Sequence, residues 1–181
     1  EEVGALIKLF MGALDREVEE LHRRGVRLRF IGERERFSAS IRERMQAAEA
    51  QTASNTRLDL VIAASYGGRQ DIAQAARTLA LEVAAGTLRA EDIDEAAVAA
   101  RMSLADLPAP DLFIRTGGDH RISNFLLWQL AYTELWFTDL LWPELDQATL
   151  QLALEDYAGR ERRFGLTSAQ VVDATTEYNP A

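Results

Sequence analysis

Apolar residues recur along this chain with two alternating periods. Val3, Leu6, Ile7, Phe10, Leu14, Val18 and Leu21 fall at helical spacing and predict an amphipathic helix over 2–24, stopped by Gly25. Val26, Leu28 and Phe30 then alternate with Arg27, Arg29 and Ile31, which predicts a strand over 26–31 closed by Gly32. A helix is predicted over 34–53, with Phe37, Ile41, Met45 and Ala48 on one face. Leu58 to Ala64 is a nearly continuous apolar run around Asp59, the pattern of a fully buried parallel strand, and Tyr66-Gly67-Gly68 breaks it. Helical patterns follow over 69–85, ending at Gly86, and more weakly over 90–102. Pro108 and Pro110 mark a loop, Leu112 to Arg115 reads as a strand, 123–133 as a helix and Leu135 to Phe137 as a short strand. Pro143 interrupts the chain before a last helix over 146–163. Leu166 to Ala181 shows no period.

Strands alternating with helices predict an α/β fold, a mostly parallel sheet flanked by helices. The expected organisation is one domain over 1–165 with a tail over 166–181. At 181 residues the chain is long enough to bury a core without staples, and it has no cysteine, so disulfides and thiolate chemistry are excluded. The net charge of −9 argues against a nucleic-acid binder. No run of apolar residues reaches the length of a membrane span, and Glu1-Glu2-Val3-Gly4 has no basic leader region. The chain opens without Met inside a helical pattern, which suggests trimming at its front.

Against that acidic background, one segment concentrates positive charge. Arg115-Thr116-Gly117-Gly118-Asp119-His120-Arg121-Ile122-Ser123 places two arginines, two glycines, a histidine and a serine at a predicted strand-to-helix junction. Arginine offers a planar fork matched to phosphate oxygens. Glycines let backbone N–H groups approach a ligand, and a helix N-terminus adds unpaired donors. Ser123 is also a good N-cap for the predicted helix. The plain alternative is a turn with surface arginines. Glu134 lies inside an apolar run and needs a partner, either a divalent cation bridging to a diphosphate or an arginine. Tyr66-Gly67-Gly68-Arg69 reads as a turn, with Asp71 favouring the first turn of the next helix. His22 and His120 lack metal-ligand spacing.

The run from Arg115 through Gln129 resembles the C-terminal signature of the cis-prenyltransferases, most closely that of the bacterial undecaprenyl diphosphate synthases. The resemblance continues through Ala131-Tyr132-Thr133-Glu134-Leu135-Trp136-Phe137, Leu141-Trp142-Pro143 and Arg160-Glu161-Arg162-Arg163-Phe164-Gly165. Upstream, Tyr66-Gly67-Gly68-Arg69-Gln70-Asp71-Ile72 is similar to the family's Asn-Tyr-Gly-Gly-Arg stretch, with Ser65 where Asn is usual. The resemblance implies repeated condensation of isopentenyl diphosphate onto an allylic diphosphate, usually farnesyl diphosphate, with Mg²⁺ assisting departure of the allylic diphosphate. The product is a long polyprenyl diphosphate, the carrier lipid of bacterial cell-wall synthesis. It further implies that Arg115, Arg121, Ile122 and Ser123 hold the isopentenyl diphosphate, that Glu134 serves Mg²⁺ and that Asp119 positions the arginines. A cytoplasmic homodimer is expected, with peripheral membrane contact through its lipid product. The family's Asp-Gly-Asn-Gly-Arg-Trp motif, which carries the essential Asp, and its Phe-Ser-x-Glu-Asn segment do not occur in the 181 residues. The expectation is therefore an N-terminally incomplete fold with an open sheet edge, no catalytic residue of its own and no activity alone. The alternative is a non-catalytic superfamily subunit that supports an active partner.

Overall fold

The computed structural model describes residue 12 and residues 16–160. Most of the predicted first helix, the Glu161–Gly165 motif and the tail lie outside the described residues. The chain divides into two compact units, Glu1–Asp106 and Leu107–Ala181.

The first unit begins with helix α1, described over 16–23, followed by β1 (Val26–Ile31), α2 (Ala39–Thr52), β2 (Leu58–Ala63), α3 (Gly68–Ala84) and α4 (Glu95–Ala99). Short 3₁₀ turns at Arg34–Arg36 and Ala90–Asp92 precede α2 and α4. The weak helical pattern over 90–102 thus resolves into two pieces, because Ile93 and Asp94 are extended and the Asp94 side chain caps α4 by accepting from the Ala97 N–H. Strands β1 and β2 are parallel, in register from Val26 beside Leu58 to Ile31 beside Ala63. The alternation read in β1 is realised: Val26, Leu28 and Phe30 are buried, and the latter two join Val18, Met45 and Ala48 in one core.

The β1 edge that faces away from β2 is closed by side chains. The N–H groups of Leu28 and Phe30 donate to Thr52 Oγ1 (3.0 Å) and Glu49 Oε1 (2.8 Å). The carbonyls of Val26 and Phe30 accept from Asn55 Nδ2 (2.7 Å) and Arg34 Nη2 (2.8 Å). These contacts satisfy the groups that make a bare edge a pairing hazard, so on this side the expected open edge is absent. The reading of β2 as fully buried is also corrected. Leu58 and Leu60 remain 58% and 37% exposed, since full burial needs cover on both faces and the first unit does not supply it.

The second unit holds β3 (Leu112–Arg115), β4 (Glu134–Phe137), a 3₁₀ turn at Trp142–Glu144 and α5 (Gln147–Gly159). Strands β3 and β4 are parallel, with Leu112 beside Glu134 and Arg115 beside Phe137. Phe113 packs against Phe125 and Phe137, each at 6.2 Å between ring centres. The helix predicted over 123–133 does not form. Ser123, Asn124 and Leu126 adopt positive φ (47°, 64° and 43°), which breaks the right-handed run that a helix requires, and the segment is a series of turns. Apolar spacing there reflects burial of Leu126 and Leu130 rather than a helix face. Helix α5 starts at an Asp146 cap, whose carboxylate accepts from Thr149, and ends at Gly159, four residues before the predicted end, because Arg160 is extended. No helix among the described residues is long and apolar enough to cross a membrane.

Candidate functional site

The site forms where β3 runs out. Beyond Arg115 the N–H of Gly117 donates to the Leu140 carbonyl (2.8 Å) and that of Gly118 to the Thr138 carbonyl (3.1 Å). Both glycines have positive φ, 87° and 73°, and a Cβ on Gly118 would lie 3.2 Å from Asp139 Oδ1. These residues carry the β3–β4 pairing past the strand ends and turn the chain. Their amides are taken up by carbonyls, so the expectation that they face a ligand is not met. The expected helix N-terminus is missing too, and Ser123 caps no helix. Side chains supply the donors instead.

The loop folds back so that Arg121, Ser123 and Asp119 meet Arg115. Arg115 Nη1 donates to Ser123 Oγ (2.7 Å) and to the Arg121 carbonyl, while Nη2 donates to Asp119 Oδ2 (2.7 Å). Arg121 Nη2 reaches the same Asp119 oxygen at 2.7 Å, and its Nε reaches Ser123 Oγ at 3.3 Å. Two guanidinium groups therefore converge on one carboxylate oxygen and share one hydroxyl. The Arg115 side chain is 21% exposed and that of Arg121 is 67% exposed. Arg115 is held in place, whereas Arg121 faces solvent. The His120 ring stacks on Phe137 at 5.0 Å, and the Ile122 carbonyl accepts from the Phe125 N–H.

Glu134 stands apart. It opens β4 beside Leu112, and Arg115 closes β3 beside Phe137. Three residues of strand separate the two ends, roughly 10 Å. The Glu134 carboxylate accepts from Arg160 Nη1 at 2.7 Å, so of its two candidate partners the structure shows the arginine. Arg160 Nη1 also donates to the Leu135 carbonyl (3.0 Å) and Nη2 to Asp156 Oδ2 (2.6 Å). Hydrogen bonds that Arg160 donates to these carboxylates, Glu134 first, raise its pKa above its ordinary value. No group of three or more His, Cys, Asp or Glu able to hold a metal occurs among the described residues.

Asp71 does more than favour a helix start. Its carboxylate accepts from the Tyr66 hydroxyl (2.8 Å) and from the Ser103 N–H and hydroxyl (3.0 and 2.9 Å). It ties the turn before α3 to the segment after α4. Ser103 lies 32 residues away, and no sequence signal announced it.

Comparison with known proteins gives one answer. The family model described as "Putative undecaprenyl diphosphate synthase" matches residues 1–165. A ditrans,polycis-undecaprenyl-diphosphate synthase of Xanthomonas axonopodis pv. citri, named as (2E,6E)-farnesyl-diphosphate specific, is 71% identical over all 181 residues, which span 70% of its length. A similarly named protein of Pseudomonas putida is 56% identical over 171 residues, 94% of this chain and 68% of its own length. Among solved structures, lavandulyl diphosphate synthase from Lavandula x intermedia, in complex with dimethylallyl diphosphate, superposes with a TM-score of 0.87 at 38% identity, covering 91% of this chain and 71% of that one. A structure titled "probable undecaprenyl diphosphate synthase" from Campylobacter jejuni gives 0.80 at 32% identity, over 91% of this chain and 74% of that one.

Proposed function

The chain belongs to the undecaprenyl diphosphate synthase family of cis-prenyltransferases, and from that premise we propose that it joins isopentenyl diphosphate repeatedly to farnesyl diphosphate. Each round forms a carbon–carbon bond, releases the allylic diphosphate with its electron pair, and loses one proton to restore a double bond. The product is a long-chain polyprenyl diphosphate.

The observation that carries the site assignment is the convergence of Arg115, Arg121 and Ser123. An oxygen within 2.7 Å of both guanidinium forks is what a diphosphate supplies, and Asp119 marks that point from within the chain. Arg115, pinned by three acceptor contacts at three residues, gives a donor already aimed. Arg121, exposed but already drawn to Asp119 and Ser123, adds the second fork to that point. Ser123 Oγ, at present an acceptor for both arginines, can turn its O–H to a phosphate oxygen. Ile122 shapes the loop through its carbonyl. We assign this grip to the isopentenyl diphosphate.

Magnesium supplies charge neutralisation for the departing diphosphate when bound. Glu134 is the carboxylate of this chain that we assign to it. Its hard oxygens suit the ion, and the partner it has in the structure is Arg160. Diphosphate oxygens and water would complete such a shell, as is usual for this metal. For partners, we assign the exposed Tyr132, Leu141 and Trp142 (74%, 60% and 73%) to contact with a second copy in a homodimer. Contact with the inner membrane surface from the cytoplasm is assigned to release of the lipid product. Incubation of the protein with radiolabelled isopentenyl diphosphate, farnesyl diphosphate and Mg²⁺ tests the activity. Organic-extractable label above a blank supports it, and label at blank level that rises only when a full-length relative is added favours the supporting-subunit reading instead.

A further inference from the structure

A chain of aromatic rings joins the anion loop to the strands. Parallel pairing sets Phe113 beside Leu135 and Arg115 beside Phe137, and two-residue alternation puts these side chains on one face of the sheet. Phe137 is therefore the strand neighbour of Arg115. The His120 ring lies flat on it, 5.0 Å between centres and 12° from parallel. Phe113 meets Phe137 edge to face, and Phe125 tilts against Phe113. His120 and Phe125 bracket the residues from Arg121 to Asn124 in the chain. Within that bracket Ser123 and Asn124 hold positive φ, a backbone that persists only where its surroundings fix it. His120 also stands between Asp119 and Arg121, whose side chains meet at Asp119 Oδ2.

We propose that Phe137 is a positioning residue: its ring is the seat on which His120 stacks, and through that stack it holds the Arg121 guanidinium at the point it shares with Arg115. The inference rests on the assignment of this loop to isopentenyl diphosphate. Stacked rings gain from their geometry beyond the area they cover. An aliphatic side chain of similar size covers area but offers no flat face. A loop held in its gripping shape also loses less freedom when the anion arrives.

The test is calorimetric titration of the purified protein with isopentenyl diphosphate, run on F137L, F137Y, H120A, H120F, R121A and the double variant F137L/H120A beside the parent. F137L should weaken binding about two- to tenfold, the reach of one stacked pair. F137Y keeps the face and should match the parent. H120A removes the same stack from the loop side, where the residue is exposed, and covers the case in which F137L does not fold. H120F should restore what H120A loses. The double variant should weaken no more than the weaker-binding single variant, because both singles lose one shared contact. Parent affinity in F137L and H120A, with R121A weakened, overturns the role of Phe137 and leaves the loop as the anion grip. Additive losses in the double variant, or H120F as weak as H120A, overturn it equally, since the stack would then not be the means. Equal affinity in R121A and the parent overturns the assignment of the loop and this inference with it.

Discussion

Arg115 and Arg121 carry the same charge and meet the same carboxylate, yet they are placed for different work. Arg115 is largely covered and held on both nitrogens, so truncating it disturbs the loop as well as the grip. Ser123 Oγ joins the two arginines. Ser123→Ala should weaken isopentenyl diphosphate binding by about 0.5–1.5 kcal/mol in titration calorimetry, the worth of one ordinary hydrogen bond. An unaltered affinity would leave the hydroxyl a purely structural link. Gly118 needs its positive φ and has Asp139 close to any added Cβ. Gly118→Ala should cost about 1–2 kcal/mol in denaturant unfolding, and a neutral result would show that the turn relaxes freely. The arginines, the serine and the glycines were legible in the sequence because their chemistry is local. The donors that face the ligand were misjudged: the glycine amides bond to Thr138 and Leu140, which only strand pairing brings near. The Glu134–Arg160 pair spans 26 residues, and sequence reasoning left the arginine open against a metal for that reason.

At the scale of elements, the strands were the most legible feature, because two-residue alternation over Val26–Ile31 has no helical counterpart. The helix expected over 123–133 failed because spacing reports which residues are buried and not the backbone angles that bury them. Helix α2 and strand β1 are fastened by Thr52, fully buried, whose hydroxyl donates to the Ala48 carbonyl and accepts from the Leu28 N–H. Thr52→Val keeps the volume but strands that N–H, and should destabilise by about 1–3 kcal/mol in denaturant unfolding. A change under ~0.5 kcal/mol would mean that water replaces the hydroxyl. Acid should act on the same scale. Arg29 holds Asp106 below its ordinary pKa of 3.8, and the Thr149 N–H does so for Asp146 at the head of α5. A carboxylate depressed in the fold stabilises it above its unfolded pKa, and that contribution is lost as pH falls through the folded value. Thermal midpoints should therefore be flat above about pH 5 and drop below about pH 4, with a smaller drop in Asp146→Ala; an identical acid profile in that variant would remove the cap from the account.

The whole molecule combines an acidic surface, net −9, with one loop where two guanidinium groups outnumber one carboxylate. That contrast is the whole-molecule basis for the proposed assignment of a diphosphate to the end of β3. Fold class was legible at this scale because strand and helix patterns alternate along the whole chain. The division into two compact units was not, since no linker composition marks Asp106. Trp142 and Leu141 lie in a turn beyond β4 and are largely exposed, which suits a self-contact. Trp142→Lys should lower the mass seen by sedimentation at low micromolar concentration from twice the 20.2 kDa chain toward the single chain, and an undiminished dimer would move the interface elsewhere. The central claim is that the loop from Arg115 to Ser123 grips the diphosphate of isopentenyl diphosphate, and Arg121→Ala tests it most directly because Arg121 is exposed and its loss leaves the fold intact. Calorimetric titration with isopentenyl diphosphate should show binding weakened by about 1.5–3 kcal/mol, roughly ten- to a hundredfold or more, with an unchanged unfolding midpoint. Equal affinity in the variant and the parent would contradict the account.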